Sequence, residues 1–429
     1  MKKSLLFSFM VAGLVMMSSC TKEKVIVIGG DDSNAAQQIV LQVANTGDGL
    51  QTRAGRPLYS SEAKQTIENV KVIICKGNAV KYVKTVENWN TSSSEYTTGG
   101  HGRMTTIEIP KDERLNEDGE YTVYAFGYHT GTAYENLNTA IAAITTESSF
   151  DANTVLKIAA GVRGEEIFAG SITFELKKEI GFKRPVVLNR QVAGTFGYFE
   201  AIPYIEGATK LQLVASTRNQ DLVLGQFHNL DLTENGTGYS PYFVVNGANA
   251  ATDKVIYEID LTKWFNKIED KNKDGLIDTD SWQNAYEGNG AKFKNGSVFG
   301  GTFLVPFAKI AETNTFVLKL VKADGEAAQT WAIKLPKGDK QLSEHNLFSW
   351  TGTSFPTAAV KNTDNNTVYN VVRNHLYGIG ERSLDEPTAP GEPDPENPDT
   401  PEPLKKKQEL TLRVNDNWDV LHKLEIEED

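Results

Sequence analysis

The sequence predicts an all-β protein made of two β-sandwich domains. Many short apolar runs alternate with polar residues, and Gly, Asn, Asp and Thr separate the runs, as in half-buried strands joined by turns. Long stretches with the helical spacing of apolar residues are scarce. The chain has 429 residues, which is enough for two to three domains. Together these observations favour a chain of sandwiches.

Two series of strand-like runs follow one another along the chain. The first contains ENVKVIICKG, VKYVKTV, MTTIEIP, EYTVYAFGYH and EIFAGSITFELKK, and it predicts a sandwich over residues 54–180. The second runs from VVLNRQVAGTFGYFEAIP to TVYNVVRNHLYGIG and predicts a sandwich over residues 181–384. Short helices are expected at Asn138–Thr145 and Leu261–Glu269. Cys75, inside VKVIICKG, is expected to be a small buried hydrophobe.

The charge balance narrows the classes of partner. The chain carries 56 acidic and 44 basic residues, a formal net charge of −12. Nucleic acids are bound through basic surfaces, so this balance argues against a nucleic-acid partner. The acidic excess otherwise contributes to solubility.

The first twenty residues have the pattern of a targeting segment. Lys2 and Lys3 precede an apolar run, Leu5–Met17, that is short for a membrane span. The run closes on MSSC, where Cys20 stands in the place of a lipidated cysteine. We therefore expect residues 1–20 to be a lipoprotein signal peptide, with a lipid such as palmitate on Cys20. An ordinary secretory signal with an incidental cysteine is the alternative.

Two segments near opposite ends of the chain carry nearly the same strand pattern, IVLQVAN at 39–45 and LTLRVND at 410–416. The apolar positions of the two segments are Ile39, Leu41 and Val43 in the first, and Leu410, Leu412 and Val414 in the second. Their alternation with polar residues is typical of a half-buried strand. The two ends of the chain therefore have the side chains to compete for one groove.

A polar, proline-rich stretch separates the second segment from the predicted sandwiches. Residues 385–403 hold seven of the fifteen prolines and several acidic residues. Such a stretch is expected to be extended and solvated, and at about 3.1 Å per residue it would span about 60 Å. We interpret residues 385–408 as a linker, and residues 409–429 as a strand that can leave its own domain.

Four stretches together resemble the fimbrillin (type V pilin) family of Bacteroidales: VVLNRQVAGTFGYFEAIP, YNVVRNHLYGIG, the Pro/Asp/Glu tract and LTLRVNDNWDVL. The resemblance runs from about Ala36 onward and is nearest to the shaft subunit of the short, minor fimbria. It implies two transthyretin-like β-sandwiches with few short helices and a tethered C-terminal strand. It also implies a lipoprotein precursor, export to the outer membrane, proteolysis after an arginine, and strand exchange between subunits.

The resemblance places the maturation site at Arg53 and Ala54, in the loop LQTRAG. Cleavage there would free the propeptide, residues 21–53, together with the first strand. We expect the first sandwich then to have an unpaired edge and an open strip of core. The C-terminal segment of a second copy would fill this place by donor-strand exchange, and Trp418 and Val420 would continue the donor strand.

The same resemblance implies a set of partners for a polymer-forming, adhesive protein. These are other copies of the chain, fimbrial anchor and tip subunits, and a maturation protease. Attachment to the membrane would be transient and would depend on the lipid. No enzymatic activity is expected.

The stretch DKNKDGLIDTDS, residues 270–281, has part of the spacing of a calcium-binding loop. The ligand positions would be Asp270, Asn272, Asp274, the backbone carbonyl of Leu276, and Asp278, with Gly275 at the sharp turn. Ser281 stands at the twelfth position, where a bidentate acidic residue is expected. The alternatives are therefore a structural calcium ion and a polar surface turn.

Catalysis finds little support in the sequence. HExxH, CxxC, GxSxG and Gly-rich phosphate-binding motifs are missing, and the six histidines are scattered. His375 is expected to be a hydrogen-bonded structural residue. Two other classes stay open: a secreted hydrolase, and a monomeric outer-membrane surface lipoprotein that binds glycans. The second would present aromatic residues such as Trp89, Trp264 or Trp282 on its surface.

Overall fold

The computed structural model describes residues 36–44, 67–89, 95–96, 102–131, 133–159, 161–178, 180–227, 230–231, 240–286, 293–307, 316–334, 346–357, 360–361, 371–380, 400–406, 409–411 and 413–415. Nearly all regular structure within these ranges is β, which confirms the predicted all-β class.

The strands in the N-terminal half of the chain are β1 (Gln37–Ala44), β2 (Asn69–Lys76), β3 (Ala79–Val86), β4 (Glu95–Tyr96), β5 (Gly102–Glu108), β6 (Gly119–Tyr128), β7 (Val155–Leu156), β8 (Ile167–Leu176), β9 (Phe182–Arg190), β10 (Ala193–Glu200), β11 (Ala208–Ala215) and β12 (Asn219–Val223). The strands that follow are β13 (Leu230–Asp231), β14 (Ser240–Val245), β15 (Gly247–Ala250), β16 (Val255–Asp260), β17 (Val298–Leu304), β18 (Phe316–Lys322), β19 (Ala327–Lys334), β20 (Asn346–Ser349), β21 (Val360–Lys361), β22 (Leu376–Ile379), β23 (Glu402–Pro403), β24 (Glu409–Thr411) and β25 (Arg413–Asn415).

Helical structure in the described ranges is limited to single turns. A π-helical turn lies at Asn138–Ala142, within the helix expected at 138–145. The other turns are 3₁₀ helices at Lys111–Glu113, Leu261–Lys263, Thr279–Ser281 and Leu404–Lys406. The helix expected over 261–269 is therefore much shorter, because the chain turns at Trp264 and Phe265 then pairs with Trp282 as an isolated β-bridge.

The first sandwich consists of β1–β6, β8 and β9. Its sheet has the order β3-β2-β6-β8-β9-β1-β5-β4 and folds over between β8 and β9, which pair only near Phe168 and Ala169. A β-carbon on Gly170 would overlap the carbonyl oxygen of Val187, so glycine permits this close corner. The two halves enclose one core, to which β9 contributes Phe182 and other residues. The first sandwich thus extends beyond 180, because β9 pairs with β1 rather than with the second series.

The second sandwich consists of β10, β11, β16–β19 and β22–β25. One sheet has the order β17-β10-β22-β25, with β23 also on β10, and the other has the order β16-β11-β18-β19-β24. A core rich in aromatic residues lies between them and includes Phe299, Trp264 and Trp331. Inward residues alternate with outward ones along β18, as expected for a strand buried on one face.

A third apolar cluster joins the two sandwiches. It lies on the outer face of β2 and β6 and includes Cys75 and Phe126 from the first sandwich. From the other side it receives Val192, Leu222 and Val305. Because β2 packs against this cluster on one face and the first core on the other, its central run, VIIC, is continuously apolar. Cys75 is buried there, as predicted, and burial raises the pKa of its thiol to about 11.

Candidate functional site

The first strand, β1, lies in the interior of the first sandwich. It runs antiparallel to β5 and parallel to β9, and Leu41 stands opposite Val186. The side chains of Ile39 and Leu41 are fully buried in the first core. Val43 lies opposite Leu188 in the register. Removal of β1 would therefore open a slot between two strands, rather than the unpaired edge expected from sequence, because both of its sides are hydrogen-bonded.

A buried side-chain amide, not predicted from the sequence, fixes the start of β1. The side chain of Gln37 is 1% exposed. Its Nε2 donates to the carbonyl oxygen of Leu115 at 2.9 Å, and its Oε1 accepts from the Leu115 backbone N–H at 2.9 Å. Nε2 also donates to the carbonyl oxygen of Ile180 at 3.3 Å. Gln37 therefore ties β1 to two loops at one end of the sandwich.

The C-terminal segment contacts the second sandwich of its own chain. β24 runs parallel to β19, with Leu410 opposite Ile333, and β25 runs antiparallel to β22, with Val414 opposite Tyr377. Leu410 is fully buried in the second core. The segment expected to leave its own domain thus occupies, in the intact chain, the outer edges of both sheets of that domain.

Several predicted site residues lie outside the described ranges. These are the lipidation site Cys20, the maturation site Arg53 and Ala54, and three positions of the donor segment, Leu412, Trp418 and Val420. The lipidation, cleavage and distal donor assignments therefore stay predictions.

The loop at 270–278 is folded on its own side chains. Asp270 accepts hydrogen bonds from the backbone N–H groups of Asp274 and Gly275, and Asp278 accepts from that of Lys271 at 2.7 Å. Asn272 Oδ1 and Asp274 Oδ1 likewise accept from backbone N–H groups two residues on. In the described part of the chain, no group of three or more His, Cys, Asp or Glu side chains is placed to hold a metal ion. The carboxylates here stabilise the turn, and calcium binding stays a prediction.

Surface aromatic residues, which a glycan-binding protein would present, are scarce in the described ranges. Trp89 and Trp331 are fully buried, and Trp264 is 2% exposed. Trp282 and Trp350 are partly buried, and Trp282 Nε1 donates to the carbonyl oxygen of Ser297. None of these five tryptophans stands free as a stacking surface.

The motifs NRQVAG and VVRNHLY meet between the two sandwiches. Arg190 Nε donates to Glu166 Oε1 at 2.7 Å, and Arg190 Nη1 donates to Asn374 Oδ1 at 2.9 Å. Arg373 Nη1 donates to Gln191 Oε1 at 2.6 Å. All five side chains are at most 5% exposed. These hydrogen bonds join residues 184 and 182 positions apart in the sequence, so neither motif predicted the contact.

Backbone contacts complete this buried junction. Arg373 also donates to the carbonyl oxygens of Gly225 and Gln226. Burial lowers the pKa of its guanidinium. His375 Nδ1 lies 2.8 Å from the carbonyl oxygen of Arg373, consistent with the structural role expected for it. Groups this deeply buried constrain geometry strongly, because each must keep its partners. The junction therefore fixes how the two sandwiches are joined.

No helix within the described residues is long and apolar enough to cross a membrane. No family model and no curated protein matches the chain.

Several solved structures are similar in overall architecture. A fimbrilin (fimA) from Porphyromonas gingivalis W83 shares 13% identity, covers 92% of this chain and 100% of its own, and has a TM-score of 0.36. The fimbrial anchor protein Mfa2 from Porphyromonas gingivalis shares 10% identity over 79% of this chain and 100% of its own, with a TM-score of 0.35. A fimbrial assembly protein from Parabacteroides distasonis ATCC 8503 shares 12% identity over 81% and 91%, with a TM-score of 0.32. With TM-scores this low, these similarities assign no function to the chain.

Proposed function

We propose that the chain is a structural subunit of a bacterial surface fimbrium, a shaft subunit whose copies join by exchange of terminal strands. The observation that supports this most is the position of β1, an interior strand with two fully buried side chains, Ile39 and Leu41. Arg53 lies between β1 and β2 in the sequence. The resemblance of the sequence to the fimbrillin family supports the same proposal.

The proposed precursor is held at the outer membrane by the lipid on Cys20 until a protease cuts after Arg53. Release of residues 21–53 then leaves the slot between β5 and β9 open. Burial of two side chains of this size contributes about 3–6 kcal/mol, and hydrogen bonds on both sides of the slot add to it. An empty slot is thus strongly unfavourable, and it drives the entry of another strand.

The proposed donor is the C-terminal segment of a second copy, with Leu410, Leu412 and Val414 in the places of Ile39, Leu41 and Val43. To donate, the segment must leave β19 and β22 of its own second sandwich. Those contacts are at sheet edges, whereas the slot offers pairing on both sides. The exchange therefore gains more ladder bonds than it breaks.

Polymer formation of this kind requires subunits that start and end the chain of copies, so anchor and tip subunits are the further partners. The filament would stand at the cell surface and support adhesion. A shaft role fits best, because an anchor would keep its lipid and a tip would have little use for a donor segment.

The test uses the chain from residue 21 onward with a site-specific protease sequence inserted between Arg53 and Ala54. We expect cut protein to form ladders of polymers by size-exclusion chromatography with light scattering, and uncut protein to stay monomeric. The control lacks residues 409–429 and should stay monomeric when cut. Polymers from the cut control would refute strand exchange. In surface-expressed protein, mass spectrometry should find Ala54 as the N-terminus, and Arg53→Ala should abolish this species.

A further inference from the structure

Residues 400–406, which we call the clamp, include the end of the proline-rich stretch and lie on the second sandwich. β23 runs parallel to β10, with Glu402 opposite Phe199 and Pro403 opposite Glu200. β22 pairs with the preceding part of β10, from Gly194 to Gly197. β23 therefore continues the line of β22 along the central strand of the sheet.

Side-chain contacts hold the clamp in the second core. Leu404 is fully buried, and Trp331 Nε1, also fully buried, donates to the Leu404 carbonyl oxygen at 3.3 Å. Gly380, at φ +79°, ends the line of β22, and a β-carbon there would overlap the carbonyl oxygen of Tyr198 and crowd the backbone nitrogen of Glu402. A glycine at this point makes room for the clamp.

The clamp and the strands after it have different neighbours. The clamp lies on β10, an interior strand that also pairs with β17 and β22. β24 and β25 lie outside β19 and β22, at the edges of the two sheets. Removal of β24 and β25 breaks edge pairs and uncovers Leu410, which would be buried again in the place of Ile39 of the neighbour. Removal of the clamp would uncover the end of β10 and Leu404, which lies outside the segment that matches β1 and has no such second place.

We propose that the clamp stays on its own second sandwich during exchange, and that only the chain from Glu409 onward passes to the neighbour. This inference rests on the proposed function. The donor would then separate from the clamp between Lys406 and Glu409, and the residues before the clamp would supply none of the reach. The 23 residues from 407 to 429 span about 75 Å when extended, which is enough to reach a neighbouring subunit. Leu404 and Trp331 act as positioning residues that set where the donor leaves.

Two engineered disulfides test this in the cleavable chain described above. The first pair, Ala332→Cys with Glu409→Cys, links β24 to β19 at opposite positions of the register. The second, Glu200→Cys with Pro403→Cys, links the clamp to β10 in the same way. Opposite residues of neighbouring strands have a spacing compatible with a disulfide. Each variant is the matched control of the other, and mass spectrometry verifies the bond.

We expect the first disulfide to abolish polymer formation after cleavage, and reductant to restore it. The second should polymerise equally well with and without reductant. If both disulfides stop assembly reversibly, the clamp must move and this inference is wrong, although strand exchange stands. If neither stops assembly, strand exchange itself fails.

Hydrogen exchange on the unmodified polymer gives a second measurement that needs no variant. The backbone amide of Leu404 should stay as protected in the polymer as in the uncut monomer. Loss of that protection on polymerisation would also overturn the proposal.

Discussion

The two sandwiches repeat one strand arrangement but complete it differently. In the first, β1 lies between antiparallel β5 and parallel β9; in the second, β10 lies between antiparallel β17 and parallel β22. The facing sheets also correspond, β3-β2-β6-β8 with β16-β11-β18-β19. β10, however, follows β9 after only Gln191 and Val192, whereas β1 is separated from β2 by residues 45–68.

This difference shows which part of a repeated fold can be replaced. The central strand of the second sandwich is fixed within the chain and beside the buried junction. The central strand of the first sandwich is the first strand of the described residues, and residues 45–68 separate it from β2, so one cut between the two strands would sever it from the rest of the sandwich. The sandwiches also differ where their two sheets approach each other. In the first, β8 of one sheet pairs directly with β9 of the other. In the second, the corresponding strands β19 and β22 pair instead with the added strands β24 and β25.

The largest change in the free energy of unfolding is expected from truncation of Leu41 in β1, compared with truncation of Leu410 in β24. Leu41→Ala should lower the free energy of unfolding of the first sandwich by about 2–5 kcal/mol, because it opens a cavity in an interior strand. Leu410→Ala should cost less, because a segment that detaches alone limits the loss to its own free energy of undocking. Native-state hydrogen exchange of β5 and β9, and of β19 and β22, measures the two effects.

The contrast between the two sandwiches would be refuted if Leu410→Ala lowered the free energy of unfolding as much as Leu41→Ala. The hydrogen-exchange protection of β10 and β17 would then fall to the same degree. The C-terminal segment would then be an integral part of the second sandwich.

Removal of the Arg373 side chain should have the next largest effect. Arg373→Ala leaves Gln191 Oε1 and the carbonyl oxygen of Gly225 without this donor, and should cost about 2–3 kcal/mol. Because Arg373 lies between the sandwiches, we expect differential scanning calorimetry to show their unfolding transitions move apart. Arg373→Lys keeps the charge without the planar fork and should fall in between. An unchanged thermogram would show that the junction does not couple the sandwiches.

Removal of the charge of Asp253, a partly exposed residue in an ion pair, should have the smallest effect on the free energy of unfolding. Burial acts to raise the pKa of Asp253, but the Val255 backbone N–H and the guanidinium groups of Arg163 and Arg218 outweigh it and lower that pKa. A carboxylate with a lowered pKa in the folded state stabilises above its unfolded pKa, about 4, and loses this as the pH falls through the folded pKa. Asp253→Asn should therefore cost at most about 1 kcal/mol at pH 7.

Urea denaturation of Asp253→Asn and the parent protein from pH 7 to pH 2.5 checks this. The difference between them should shrink as the pH falls. A difference that grows on acidification would contradict the sign of the effect.

Local patterns were sufficient to predict the strands with clear alternation. β1, β5 and β18 follow directly from residues such as Ile39, Leu41 and Leu318, because alternation reports a buried face whatever the partner strand. The pattern does not report which strand lies beside which. The membership of β9 in the first sandwich and its parallel pairing with β1 depend on contacts distant in sequence.

Only the part of the candidate site that depends on strand alternation was predicted from the sequence, because local patterns do not report distant contacts. The alternating residues of β1 and β24 were recognised, but Gln37 and Arg373 act through partners far along the chain, such as Leu115 and Gln191. Residues 400–406 were assigned to the linker because Pro401, Glu402 and Pro403 continue its composition, and the burial of Leu404 depends on the sandwich that it packs against.

The return of the chain at the clamp also has a practical consequence. Gly380 and Glu402 are neighbours in space, so the chain leaves the second sandwich and rejoins it at nearly the same point. Doubling the length of a flexible loop between fixed ends costs only about 0.6 kcal/mol. We therefore expect a foreign peptide inserted between Gly380 and Glu402 to be displayed without disturbing either sandwich.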